Sequence, residues 1–465
     1  MFPTGATRAV AFINPPGPAK LYRSIICTYI SKANYIWQPQ DFINLSAQIP
    51  PEYDLKLFDC SLNGIDAERL FENMTRYNPG VAVIALSSIV FDHDLEFLRQ
   101  FRRHFPEIIC LALGDILLEE VFWEKVCAYV DGLVLNSLDL DFAAFLRTGE
   151  SHSAGLLLKN GKFQRSAPAL KPKKVSIGIP RHQLFLNRKY RFPFVKSYLY
   201  STVSTQFSCP YRCKYCSASK IPVTYRDYQE VLAELELIRQ LGVHDLFFAD
   251  PSFGFPKDNA RHILEGMLSQ RLGMRWVCYT NPALWNKETL KLMQAAGCHT
   301  VIIGVDDEDT DLLKEKYGRT LSKSTLIAFC EECRRLQIHV CGDFIIGLNS
   351  NEAAVKRLVQ FAQTLRLDYA SFNIFTVLLG SMVREELVRE GKFDPYTLGY
   401  DTSGTFGVSD ARLVRLRNLA VRKFYLRPGY LLHRVMAIRS LPELRIHCEE
   451  MLTMLKNVFQ SRRKK

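Results

Sequence analysis

At 465 residues the chain exceeds what one hydrophobic core usually holds and suits two or three domains. Apolar content of 48% with 23% charged residues excludes a disordered or fibrous polypeptide, and 13 scattered cysteines, an odd number, exclude a secreted disulfide framework and read as reduced thiols. Net charge is +12, with much of the excess in the last third, and the longest apolar run, around Val81 to Val90, is about half of what a membrane span needs. Met1 to Val10 lack the basic and then apolar pattern of a secretory signal, so a cytoplasmic location is expected.

Residues 1–150 alternate strands and helices. Ala9 to Asn14, Leu55 to Asp59, Val81 to Ser87, Ile108 to Leu113 and Gly132 to Leu135 are short apolar runs. Amphipathic stretches lie between the later runs, at Ala67 to Tyr77, His93 to His104 and Leu117 to Tyr129. Buried strands joined by crossover helices predict a doubly wound parallel sheet of the α/β class, whose ligand crevice lies beyond the carboxyl ends of the strands. Those ends carry Asn14, Pro15, Pro16 and Gly17, then Ser87 and Ser88, then Gly114 with Asp115. Residues 151–198 break the pattern and read as a basic linker, with Lys171-Pro-Lys-Lys174, Pro180 and Pro193.

Residues 199–390 begin a second alternating series. Strands are expected near Tyr200 and over Asp245 to Asp250, Met274 to Thr280, His299 to Val305, Ile338 to Ile346 and Tyr369 to Thr376. Helices are expected over Tyr228 to Leu241, Asp258 to Leu272, Asn286 to Ala296 and Lys323 to Leu336. This is the pattern of a partial (β/α)6 barrel, with its functional residues at the strand carboxyl ends. Residues 391–465 read as a helical basic region, in which arginines alternate with Leu, Phe and Tyr from Leu413 to Leu431 ahead of the terminal Arg462-Arg463-Lys464-Lys465. A solvated helical face accounts for it, and so does a surface for anionic lipid or an acidic substrate.

The chemistry centres on Cys209, Cys213 and Cys216, in the run Ser-Cys-Pro-Tyr-Arg-Cys-Lys-Tyr-Cys just past the first barrel strand. Three thiolates within eight residues can hold three corners of an iron–sulfur cube and leave one iron open. A zinc site would ask for a second Cys or His pair at matched spacing, and none follows. The C-x3-C-x2-C spacing, with Tyr215 before the last cysteine, resembles the radical S-adenosylmethionine (SAM) enzymes. The resemblance implies a [4Fe-4S] cluster on these cysteines, SAM on its open iron, and an electron donor such as flavodoxin or ferredoxin.

Later segments extend the resemblance. Phe248-Ala-Asp250-Pro-Ser-Phe253, Trp276-Val-Cys-Tyr-Thr280-Asn281-Pro282, Ile303-Gly304-Val305-Asp306-Asp307 and Gly342-Asp-Phe-Ile-Ile-Gly347-Leu348 follow the order of SAM-binding strand ends in the class that carries an amino-terminal cobalamin domain. This implies SAM contacts from Tyr215, Asp250, Thr280, Gly304, Asp306, Gly342 and Gly347. Asn281 and Asp307 depart from the Arg and Ser of that pattern. The run Asn14-Pro15-Pro16 and the approach Trp37-Gln-Pro39 resemble the cobalamin domain of the same class. They imply cobalamin near Asn14 to Gly17, Ser87, Ser88 and Gly114, without a histidine ligand to cobalt. Cys330 and Cys333 share a helix face and read as core, as do Cys278 and Cys341, while Glu119-Glu120 reads as a solvated face.

The expected function is carbon modification of an organic small molecule by a cobalamin-dependent radical SAM enzyme, as methyl transfer or as ring closure or contraction. An acidic or lipid-like substrate and contact with a membrane surface are compatible with the basic carboxyl-terminal third, and no nucleic acid is expected. The other readings are a barrel acting without cobalamin and an electron-transfer iron–sulfur protein, which would yield no 5′-deoxyadenosine from SAM.

Overall fold

The structure, a computed structural model, describes residues 7–26, 28–30, 35–138, 140–159, 172–347, 350–398 and 411–437. Lys171, Leu348, Arg439, Glu449-Glu450 and the terminal basic run lie outside the described residues.

The first sheet contains β1 (Ala9–Asn14), β2 (Asp54–Asp59), β3 (Val81–Leu86), β4 (Ile109–Gly114), β5 (Gly132–Val134) and β6 (Leu156–Leu158). Its order is β2-β1-β3-β4-β5-β6, parallel except for the last strand. The chain winds outward from β1 in both directions, so the switch point lies between β1 and β3, beside Asn14 and Ser87. β1 and β3 are buried along their whole length, which is why they read as unbroken apolar runs. The helix expected over Leu117 to Tyr129 is broken into a turn at Asp115–Leu118, a turn at Glu120–Phe122 and a short helix, Trp123–Cys127. Glu119 is extended at the break, and its carboxylate accepts the Gly380 N–H at 2.8 Å and pairs with Arg384 at 3.4 Å. It is therefore a contact to the barrel and not part of a solvated face.

The second sheet runs in sequence order through β7 (Ser201–Val203), β8 (Asp245–Phe253), β9 (Arg275–Thr280), β10 (Cys298–Asp306), β11 (His339–Ile346) and β12 (Tyr369–Ile374), every pair parallel. With helices on its outer face this is the partial barrel. Cys278, Cys298, Cys330 and Cys333 all lie in the core between strands and helices, as small hydrophobes. The stretch expected as a linker is woven into both halves. Leu156–Leu158 adds the sixth strand of the first sheet, and Lys173–Val175 pairs with a short strand, Thr224–Arg226, beside the cysteine loop. Helix Ala411–Tyr425 lays Leu413, Leu416, Ala420 and Phe424 against the barrel core, and helix Pro428–Ala437 starts with its proline in the first turn, where a missing N–H costs nothing. Leu431 and Leu432 remain exposed.

A third apolar cluster joins the two sheets. It runs from Leu62 and Tyr190, beside the ends of the first sheet, through Tyr22 and Phe192 to Phe247, Val277, Ile302 and Cys341 on the inner face of the barrel. Beneath it, Arg23 is buried at the switch point. Its guanidinium donates to Asp94 at 2.7 and 3.1 Å, to Asn14 Oδ1 at 2.7 Å and to the Pro15 carbonyl at 3.1 Å. Asn14 donates in turn to Asp59 at 2.8 Å, and the Tyr190 hydroxyl reaches the same carboxylate at 2.7 Å. Removing one ion of such an enclosed pair strands the other. Asp94→Ala is expected to lose about 3–5 kcal/mol in urea unfolding, and Arg23→Met with Asp94→Leu to lose less. Equal losses would show that the stranded charge is not the cause.

Candidate functional site

The cysteine loop hangs from one enclosed carboxylate. The ladder between β8 and β9 loses register between Phe248 and Phe253, and this irregularity carries Asp250. Fully buried, Asp250 accepts the backbone N–H groups of Thr205 at 2.6 Å and Gln206 at 3.0 Å, and the Thr205 hydroxyl. Gln206 Nε2 donates to the Ser252 carbonyl at 2.9 Å. Ser208 stands in the left-handed region at φ 71°, with its hydroxyl 3.0 and 2.8 Å from the carbonyls of Ala218 and Ile221, so both ends of the loop are fixed. The middle is clamped as well: Lys214 N–H donates to the Tyr317 carbonyl at 2.9 Å, and Val383 N–H donates to the Lys214 carbonyl at 3.0 Å.

Cys209, Cys213 and Cys216 project from this loop, each partly buried and none in a disulfide. Burial is the first cause that pushes their thiols up, to about 12 for Cys209 and about 11 for Cys216, with Cys213 raised in the same sense. Neutral enclosed thiols are poor nucleophiles, and binding to metal removes their protons. Among the described residues no three His, Cys, Asp or Glu side chains gather round a single ion. Cube corners would hold separate irons, so the donor set and its spacing fit a cluster better than one zinc.

Beside the loop lies a group that unites three of the expected residues. The β10–β11 ladder shifts register between Gly304 and Asp306, and Asp306 adopts φ 61°. A non-glycine residue in that region marks a local constraint, here at the rim of the barrel. The Tyr215 hydroxyl donates to Asp306 Oδ2 at 2.8 Å, and Arg319 Nη1 donates to the same oxygen at 2.6 Å. Arg319 Nη2 donates to the Gly304 carbonyl at 2.9 Å, and a Cβ on Gly304 would fall 2.5 Å from Nη1, so the glycine makes room for the cation. Arg319 had no sequence motif to announce it. It follows Gly318, whose φ of 64° ends the turn after helix Thr310–Glu315.

The other expected SAM residues stand apart from this group. Asp250 is enclosed and spends its acceptors on the loop. The Thr280 hydroxyl donates to the Phe253 carbonyl and accepts from Trp285 Nε1, both at 2.6 Å. Gly342 faces the helices, where a Cβ would lie 2.6 Å from the Leu367 side chain, and at Gly347 a Cβ would lie 2.4 Å from Phe375. In the first domain, Asn14 is committed to Arg23 and Asp59. The Ser87 hydroxyl accepts the Ile89 N–H, and Ser88 hydrogen-bonds Asp115 through N–H and hydroxyl. Pro15 and Gly114 are buried, whereas Pro16 and Gly17 are partly accessible. Asn14, Ser87 and Ser88 therefore form the floor of the crevice.

The barrel lumen is open. On β9 to β12 the residues Tyr279, Gly304, Asp343, Ile345, Ser371 and Asn373 are partly accessible, while their neighbours Cys278, Val305, Gly342, Phe344, Phe372 and Ile374 are buried. Alternation of this kind in strands whose outer face is covered means that the inner face borders a cavity. Aromatic rings lie at its first-domain side. Tyr29 and Trp37 are 4.7 Å apart, each 5.3 Å from Tyr22, and Trp37 is 4.8 Å from Phe192. The Tyr29 hydroxyl and Trp37 Nε1 are both enclosed, with no hydrogen-bond partner among the described residues.

A family description, the radical SAM superfamily, matches residues 203–362. The match lies on the second sheet and its helices, from the end of β7 onward. An uncharacterized methyltransferase of Pyrococcus horikoshii is 23% identical over 416 residues, covering 85% of this chain and 89% of its own. The radical SAM methyltransferase TsrM of Kitasatospora setae, solved with cobalamin and a [4Fe-4S] cluster, aligns with a TM-score of 0.64 at 15% identity over 91% of this chain and 90% of its own. The cobalamin-dependent radical enzyme OxsB, solved with aqua-cobalamin and SAM, aligns at 0.64 with 14% identity over 97% of this chain and 72% of its own. Both likenesses establish the two-part fold.

Asp250 gives the site a test. Burial raises its carboxyl from 3.8 to about 6. A folded-state value above the unfolded one favours the protonated fold, so the stability it confers is complete below about pH 4 and is lost as pH rises through 6. Asp250→Asn keeps an oxygen for the two N–H groups. It is expected to retain the loop while flattening this part of the stability–pH curve in chemical denaturation. Asp250→Ala leaves both donors enclosed and unpaired and is expected to lose iron uptake. An unchanged curve in the Asn variant would assign the pH dependence elsewhere.

Proposed function

We propose that the protein is a cobalamin-dependent radical SAM methyltransferase acting on an organic small molecule. The observation that carries this reading is the fixed loop of three free cysteines at the mouth of an open half-barrel, beside the seam with a doubly wound domain. That pairing of domains is shared with TsrM and OxsB, and the similarity to the Pyrococcus methyltransferase supports the reaction class. Cys209, Cys213 and Cys216 would hold the cluster. Tyr215, Gly304, Asp306 and Arg319 would border the SAM position.

Cobalamin would lie at the seam. The enclosed donors of Tyr29 and Trp37 await acceptors there, and Pro16 and Gly17 leave backbone accessible at the end of β1. A corrin carries amide acceptors and a flat apolar face, so these residues fit it, while Asn14, Ser87, Ser88 and Gly114 hold the strand ends beneath. When bound, the cluster supplies the electron that splits SAM and the corrin carries the methyl group. The protein's own contribution is to exclude water with the aromatic seam and to hold the substrate against the accessible wall of Tyr279, Ile345, Ser371 and Asn373. Arg212, exposed on the cysteine loop, and the partly exposed Lys214 give that face positive charge suited to an acidic electron donor such as flavodoxin or ferredoxin.

Two measurements check the proposal. Anaerobically reconstituted protein with SAM and dithionite is expected to consume SAM, releasing 5′-deoxyadenosine or a demethylated product, and the Cys209→Ala, Cys213→Ala, Cys216→Ala triple variant to hold no cluster. Four irons per chain in the triple variant would remove the cysteines from the site. Supplied with cob(II)alamin, the wild type is expected to show an electron paramagnetic resonance spectrum without nitrogen splitting from a protein imidazole. The histidines of the first domain, His93, His104 and His152, are all exposed. Absence of bound cobalamin would leave the barrel acting without it.

A further inference from the structure

Among the described residues around the cysteine loop, the enclosed ion pair Arg319–Asp306 is the charge arrangement that no sequence motif accounts for. Both side chains are nearly inaccessible, at 10% and 4% exposure, so water screens them little. The pair is held rigidly: Arg319 is fixed by the Gly304 carbonyl and Asp306 by the Tyr215 hydroxyl, which itself lies 3.4 Å from Arg319 Nη1. Tyr215 is the chain neighbour of Cys216, and the Lys214–Tyr317 hydrogen bond ties the Arg319 turn to the same loop.

We propose that the Arg319–Asp306 pair, held beside the cysteine loop, sets the reduction potential of the cluster. The proposal rests on the cluster reading above. A cluster that accepts one electron gains one negative charge, so a nearby fixed cation stabilises the reduced form and a nearby carboxylate opposes it. Arginine suits the position because it stays charged when enclosed and its planar fork can hold a carboxylate and a carbonyl together. As an ion pair the two charges nearly cancel at a distance and act differentially only on the adjacent loop. Arg319 thus acts by its charge on the cluster environment and is not itself a ligand.

The test is a redox titration of the reconstituted holoprotein followed by electron paramagnetic resonance, with iron content measured for every variant. Arg319→Gln leaves Asp306 uncompensated and is expected to make the cluster at least tenfold harder to reduce at a given potential, a shift of about 59 mV for one electron. Asp306→Asn leaves Arg319 uncompensated and is expected to shift it at least as far the other way. Arg319→Lys, which keeps the charge, is expected to stay near wild type. Tyr215→Phe, which keeps both charges, should move far less than either charge variant. A structural role would move both charge variants in the same direction as the loop loosens and water enters. Shifts of one sign, or none, in variants that carry four irons overturn the proposal. Should Arg319→Gln fail to take up iron, Asp306→Asn and Arg319→Lys decide, since a fall or no change in the first, or a large shift in the second, contradicts it. A wild-type protein that takes up no cluster would instead overturn the functional reading on which this one rests.

Discussion

A half-barrel has two open edges, and the chain's architecture follows from how they are closed. An unpaired strand edge exposes a row of backbone donors and acceptors that invites pairing with another chain. At β7 the edge is met by Gln38, whose side chain donates to the Tyr200 carbonyl at 2.9 Å and accepts the Thr202 N–H at 2.7 Å. One amide side chain thus replaces a peptide of a missing strand. At β12 the Tyr425 hydroxyl accepts the Ala370 N–H at 3.0 Å and donates to its carbonyl at 2.8 Å. The first edge is closed from the amino-terminal domain and the second from the carboxyl-terminal helices, so both flanking regions are bound to the barrel by the same requirement. Because β7 leads directly into the cysteine loop, its closure also fixes where that loop begins.

Enclosed polar networks then carry the register from one element to the next. His182 is fully buried and bridges the Ser201 hydroxyl and Glu234, each at 2.7 Å, and Glu234 is paired with Arg226. The segment before β7, β7 itself and the first barrel helix are thereby set relative to each other. Arg23 does the same at the switch point of the first sheet. Buried ions of this kind add little to net stability compared with apolar packing of equal volume, but each tolerates few alternative arrangements. That suits a site in which loop, seam and lumen must meet at fixed distances.

The parallel strands of the first sheet were legible because strands buried on both faces, such as β1 and β3, have to be continuous apolar runs, and those of the barrel were legible from their alternation with helices. The antiparallel sixth strand of the first sheet, with only three residues, was hidden in the stretch expected as a linker. The cysteine loop was legible because metal ligation depends on local spacing. Less was visible where function depends on distant pairing. Asp250 and Thr280 occupy the strand ends where SAM contacts were expected, but their hydrogen bonds serve the loop and Trp285, which no spacing could foretell. Arg319 became visible only through a register shift that turns Asp306 toward it. The break at Glu119 was hidden by an amphipathic pattern that continues across it, and the partner that pulls it out of a helix, Gly380, lies 261 residues away. The role of Tyr425 was not legible in the sequence either, because covering an edge is a property of the folded sheet.

The cysteines themselves present a conflict that the rest of the site resolves. Burial holds their thiols neutral, yet ligation needs thiolates. In small metal-folded domains the binding energy of the metal organises the ligands and is spent on folding. Here Asp250, Ser208, the Tyr317 carbonyl and the Val383 N–H already hold the loop by contacts that need no metal. The binding energy of a cluster on these cysteines would therefore be left to expel the thiol protons and to keep three negative ligands enclosed, and Arg319 would offset part of their repulsion. A loop organised in this way would take up its cluster without first having to be ordered by it.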